Sequence, residues 1–149
     1  MNLVNDESFG VVPIIIKNDS QYLFCVVSHS VGYWAFPKGH KEAGKSDLEA
    51  AQKELFEETG IKDIDIVLNR TFVETYPFDR GAIRYQKIAK YYVGFFTEVE
   101  ILTQKGSAGE INDIKLLTYP EALKVITFPE SRKLLSEVNE YLLSGLQSQ

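Results

Sequence analysis

Residues 46–60, SDLEAAQKELFEETG, carry helix signals at both ends. Ser46 followed three residues later by Glu49 forms a capping box, and Gly60 supplies the left-handed residue that closes a last turn. The spacing predicts a helix running to Thr59, with Leu48, Ala51, Leu55 and Thr59 as its buried stripe. Such a stripe needs another layer to cover it, and the flanking chain supplies strands. Residues 9–17 and 22–28 are rich in Val, Ile and aromatics around the turn NDSQ, with Pro13 suggesting an edge position or a bulge. Residues 64–78 and 82–97 flank DRG as a hairpin, INDIKLLT reads as a further strand, and YPEALKVI and SRKLLSEVNEYLLSG read as helices. The sum is an α/β or α+β sandwich, a mixed sheet between helices.

A chain of 149 residues is sized for one domain, 1–149, and buries roughly two-thirds of its unfolded surface. No linker, repeat or low-complexity tract divides it. The net charge of −5 disfavours a broad nucleic-acid footprint but leaves room for a local basic groove that takes a phosphate-bearing small molecule. Cys25, the one cysteine, lies in the apolar run YLFCVVSH and reads as a buried small hydrophobe. The opening residues MNLVNDESFG show neither a basic start nor an apolar stretch, and the longest apolar run, VVPIII, is too short to cross a bilayer. A cytoplasmic location with no membrane partner is the resulting expectation.

Glu54, Glu57 and Glu58 lie within roughly 100° of arc on the predicted helix and project from one rim of it. Carboxylates set that closely repel unless solvent or a cation separates them. A solvated acidic face is one outcome; a site for a hard divalent cation is the other, since magnesium and manganese use one or two carboxylates together with water and substrate phosphate. Just ahead of the helix runs the loop SVGYWAFPKGHKEAGK, where backbone amides can approach a phosphate closely and Lys38 adds a compact positive charge.

Gly39, five residues, position 45, seven residues, then Lys-Glu-Leu-Phe-Glu-Glu-Thr-Gly-Ile at 53–61 resembles the Nudix box. The box pattern is glycine, five residues, glutamate, seven residues, arginine and glutamate, an apolar residue, any residue, two glutamates, any residue, glycine and an apolar residue. The resemblance implies an α/β/α sandwich over nearly the whole chain. It implies hydrolysis of a nucleoside diphosphate linked to another group, with Mg2+ or Mn2+ held by Glu54, Glu57 and Glu58, the residues also expected to be catalytic. Two positions depart from the pattern. Lys45 stands where the box has glutamate and Lys53 where it has arginine, which removes an ion pair, sets two cations against each other and costs position 53 its bidentate fork.

The segment WAFPKGH is similar to the dinucleoside polyphosphate hydrolase subgroup, which implies asymmetric cleavage of diadenosine tetraphosphate to ATP and AMP. It also resembles the start of the decapping Nudix enzymes, less closely at the histidine. The subgroup resemblance further implies substrate contacts at Lys38, His40, Tyr76 and Lys87, and a metal contact at Glu110. Phe128, Tyr33 and Tyr85 are candidates to stack on a base, against core packing for each; Trp34 pins the loop. Arg80 and Arg84 face either phosphate or solvent, and His29 reads as a strand-end surface residue. Pro77 resembles a marker of ADP-ribose pyrophosphatases. Hydrolysis of ADP-ribose and a degenerate domain that only binds a nucleotide are therefore the alternatives; oligomeric state is left open.

Overall fold

A computed structural model describes residues 3–18, 21–97 and 111–147, the side chains of residues 112, 146 and 147 excepted. The strands are β1 (Leu3–Asn18), β2 (Gln21–His29), β3 (Trp34–Ala35), β4 (Lys38–Gly39), β5 (Asp65–Arg80), β6 (Ile83–Phe95) and β7 (Ile111–Leu117); the helices are α1 (Asp47–Thr59), α2 (Tyr119–Val125) and α3 (Pro129–Gln147). One mixed sheet runs β3-β2-β1-β6-β5, with β4 added to β1 and β7 to β2. The β1–β6 pair is parallel and the other pairs are antiparallel.

Helices cover both faces of this sheet, which explains why β1 is apolar on successive residues through its centre. Val12, Ile14, Phe24, Phe72, Tyr91 and Val93 pack under α2 and α3, against Leu134, Leu135, Val138 and Leu142. Val11, Ile15, Cys25 and Tyr92 turn to the other face and meet Ala50, Ala51, Leu55 and Ile61. Each fully buried large side chain contributes about 1.5–3 kcal/mol, so Leu55 alone makes α1 costly to detach. Burial also pushes the Cys25 thiol up to about 12, leaving it an inert hydrophobe.

Two local expectations need correction. Pro13 lies in the centre of the sheet, opposite Gly94 of β6, and not on an edge. It sits where the other neighbour of β1 changes from β4, paired at Phe9 and Gly10, to β2, paired from Ile14, so its missing N–H falls at an interruption of the ladder. On α1, the buried residues are Ala50, Ala51, Leu55, Glu58 and Thr59, with Leu48 only half-buried. The stripe is rotated toward Ala50, and that rotation carries Glu58 inward.

Candidate active site

α1 is positioned by its own ends. The Ser46 hydroxyl accepts the Glu49 N–H at 3.1 Å, the Glu49 carboxylate accepts the Ser46 N–H at 2.9 Å, and Gly60 closes the helix at φ +80° with its N–H on Phe56. The first turn is acidic, which agrees with the helix dipole. The last turn has no base and carries Glu57 and Glu58, which oppose the dipole. Carboxylates at the negative end of a helix are stabilised by a cation.

Glu54 packs against Gly39: a Cβ at position 39 would run into the Glu54 carboxyl group. The box glycine is therefore required by close approach, since its φ is not positive. Gly10 plays the same part beneath, where a Cβ would meet the Pro37 carbonyl, Lys38 and Tyr91. Glu57 accepts a hydrogen bond from Lys53 at 2.5 Å, and Lys53 also lies 3.0 Å from Glu42. The expected repulsion between Lys45 and Lys53 is thus corrected: Glu42 supplies the acid that position 45 lacks. Glu58 is 6% exposed, its Oε1 3.9 Å from Nε2 of His29.

His29 is not a surface residue. Its ring stacks on Tyr33 at 4.4 Å, and Nε2 is buried without a hydrogen-bond partner among the described residues. Burial, then the nearby charge of Lys38, pushes its pKa down to about 4, so at neutral pH it faces Glu58 uncharged and the two form no ion pair. Tyr33 in turn lies 5.3 Å from Phe128, which is 42% exposed. The chain before α3 is fixed there by reciprocal hydrogen bonds between Trp34 and Thr127 and by Arg132 on the carbonyls of Ile126 and Thr127. Both bonds to Thr127 use the backbone of Trp34, while its ring lies 5.0 Å from the Lys115 ammonium.

The predicted phosphate-binding residues gather in two linked networks on the face shared with α3. Lys38 donates to Glu74 at 3.3 Å and to Tyr76 at 3.4 Å; Glu74, 3% exposed, also accepts from Tyr91 and from Ser131 of α3. Burial opposes the charge of Lys38, but Glu74 and then Tyr76 outweigh it and raise its pKa. Beside it, Asp6 accepts from Lys87 at 3.0 Å and pairs with His40 at 2.8 Å. Burial works against the Asp6 carboxylate, yet hydrogen bonds from Lys87 and His40 hold its pKa below the usual value. Burial lowers the pKa of Lys87, against its bond to Asp6 and with help from Lys38.

The structure brings together Lys38, His40, Tyr76 and Lys87, and separately Phe128, His29 and Glu58. It leaves Arg84 outside, exposed and 3.7 Å from Asp79 near the hairpin end, while Arg80 lies over the stacked rings of Phe78 and Tyr85. Glu110 lies outside the described residues. Asp6, Glu42 and Glu74 escape sequence reasoning. Glu74 has a signal, since it falls between Phe72 and Tyr76 on the inward register of β5, where an acid is out of place. Cavities of about 420 and 630 Å3 lie around Tyr22 and Tyr119 and around Ile16 and Phe96.

Among the described residues no three acidic, histidine or cysteine side chains already converge as an ion cage. The donor set still suits a hard divalent cation, which needs only one or two carboxylates when water and phosphate complete its shell. Among the described residues no helix is long and apolar enough to cross a membrane.

The sequence and the fold are similar to those of known proteins. The chain is 32% identical over 62 residues to bis(5'-nucleosyl)-tetraphosphatase [asymmetrical] of Rattus norvegicus, spanning 42% of this chain and 42% of that enzyme. Its fold matches a C. elegans Ap4A hydrolase binary complex with a TM-score of 0.77 at 22% identity, covering 93% of this chain and 98% of the other. It also matches the NUDIX domain of Shewanella oneidensis NrtR complexed with ADP ribose, with a TM-score of 0.68 at 16% identity over 95% and 90% of the two chains. The NUDIX domain family matches residues 7–138, and the chain belongs to that family.

Proposed function

We propose that this protein is a divalent-cation-dependent hydrolase of nucleoside diphosphate derivatives that cleaves diadenosine tetraphosphate asymmetrically to ATP and AMP. The observation that carries the reading is the placement of Glu54, Glu57 and Glu58 along the C-terminal half of α1, with Glu54 packed against Gly39, the chain neighbour of Lys38, and Glu58 beside His29, which also feels the charge of Lys38. The similarity to the rat tetraphosphatase supports the choice of substrate.

In this reading the three glutamates hold Mg2+ or Mn2+, with Glu110 as a further ligand. A cation held there would supply positive charge against the phosphate oxygens and make hydroxide easier to form. The protein's own part is positioning and fixed charge. Lys38 and Lys87 approach the polyphosphate as pre-oriented donors, because Glu74 and Asp6 already hold their ammonium groups in place. His40 steadies Asp6 from the solvent side. Tyr76 and Phe128 offer aromatic surface to a base, and Arg84 stands outside as a peripheral charge for the polyphosphate. A cytoplasmic setting accompanies such a substrate.

Two alternatives carry observations of their own. Hydrolysis of ADP-ribose is favoured by Pro77, and a purely nucleotide-binding role by Lys45 in the box and by the likeness to the NrtR domain, which was solved with ADP ribose bound. Chromatographic product analysis with Mg2+ or Mn2+ and, separately, diadenosine tetraphosphate, ADP-ribose, capped RNA and a nucleoside triphosphate separates them. ATP with AMP from the dinucleotide is the expected result. AMP from ADP-ribose alone overturns the substrate assignment, and folded protein inert on all four overturns the hydrolase.

A further inference from the structure

Lys53 lies between two carboxylates, Glu57 of the same helix and Glu42 of the loop before it. The loop is shaped for this: the Lys45 N–H donates to the Glu42 carbonyl at 3.1 Å, and Gly44 takes φ +84°, which folds residues 42–45 into a turn that returns Glu42 to the side of α1. Both partners respond to the contact. Lys53 is held well above its ordinary pKa by its hydrogen bonds to Glu57 and Glu42, and Glu42 is held below its own by Lys53.

An ammonium on Glu57 has two consequences. It relieves the repulsion among neighbouring carboxylates at the negative end of the helix, and it occupies an oxygen that a divalent cation would use. Lysine is a compact charge on a flexible four-carbon stem, so it can shift between acceptors without leaving the surface. Nearby cations on this side are committed elsewhere: Lys41 and Lys90 both bond Asp47.

Resting on the hydrolase reading above, we propose that Glu42 is a positioning residue that draws the Lys53 ammonium off Glu57 and thereby opens Glu57 to an incoming divalent cation. Lys53 is then an internal counterion with two seats. Glu57 and Glu42 share it before the cation arrives, and Glu42 alone holds it once the cation is present. Lys45, on the same turn, also favours the ionised Glu42 and so competes with Lys53 for it, whereas an acid at position 45 would serve as a second anchor for Lys53.

The test is titration of Mn2+ into nucleotide-free protein, followed by electron paramagnetic resonance, for the wild type, Glu42→Gln and Glu42→Gln/Lys45→Glu, with thermal melts and wild-type turnover measured alongside. The proposal expects Glu42→Gln to bind Mn2+ about twofold to fivefold more weakly, the size of an exposed charge contact. The double variant should recover the wild-type affinity, and the metal-free melting temperatures should stay together. Equal Mn2+ affinity in wild type and Glu42→Gln, with wild-type turnover intact, overturns the role of Glu42 and leaves the hydrolase standing. A weaker affinity that tracks a lower melting temperature and is not rescued at position 45 overturns it as well. A wild type that neither binds Mn2+ nor turns over substrate defeats the hydrolase reading, and this inference with it.

Discussion

The two ends of α1 are built on opposite principles. At the N-terminal end every charge agrees with its surroundings: Ser46 and Glu49 satisfy each other's backbone, and Asp47 sits near the positive end of the dipole and receives Lys41 at 3.1 Å and Lys90 at 3.3 Å. At the C-terminal end Glu57 and Glu58 oppose the dipole, one held by a single lysine and the other turned inward beside a neutral histidine. The first end is stabilised by what is already present. In the proposed reading the second takes an additional cation, so that one helix would separate charges that serve folding from charges that serve a ligand.

Changes at each end should therefore move different observables. The largest effect belongs to Glu57→Gln, which should cut turnover of diadenosine tetraphosphate about a thousandfold, roughly 4 kcal/mol, in a steady-state assay. Its melting temperature should stay within about 2 °C of wild type, because a lost exposed pair is offset by one fewer charge against the dipole. Gly39→Ala should follow, at about a hundredfold in kcat, because the added methyl group displaces the Glu54 carboxyl. Ser46→Ala inverts the pattern. It should cost about 1 kcal/mol, or a fall of roughly 2–4 °C by calorimetry, with kcat unchanged well below the melting temperature.

A further effect concerns pH. The folded His29 has its pKa lowered from 6.5 to about 4, so the unfolded chain binds the proton first. Its contribution to stability is complete above about pH 6.5 and drains as pH falls toward about 4. The paired carboxylates Asp6 and Asp47, with depressed pKa values, lose their contribution only at lower pH, as they protonate. Melting temperatures between about pH 7 and pH 5 should thus decline more in wild type than in His29→Gln. Equal slopes would show that His29 is no more buried than a surface histidine.

What was legible in the sequence was local. The capping box, Gly60, the hairpin around DRG and the order of the longer strands and helices each depend on residues a few positions apart, and the structure reproduces them, while adding the two-residue strands β3 and β4 within the segment read as a loop. The grouping of Glu54, Glu57 and Glu58 on one helix was legible too, because spacing alone sets it. Its support was not. Asp6 meets Lys87 across 81 residues through the parallel register of β1 and β6, and Glu74 meets Ser131 across 57 through packing of α3. Pro13 misled because the rule against central proline assumes an unbroken ladder, and β1 changes partner there. Lys45 misled because charge at a motif position is not the same as charge in space: the acid comes from Glu42 instead.

The most direct measurement is the thermal shift caused by Mn2+ in the wild type and in Glu57→Gln, without nucleotide. At about a hundred times its dissociation constant the ion should add about 2.7 kcal/mol to the wild type, a rise of roughly 5–10 °C, and markedly less to the variant. An identical rise in both proteins, or none in the wild type, would contradict the claim that the dipole-opposed end of α1 is built to hold a divalent cation.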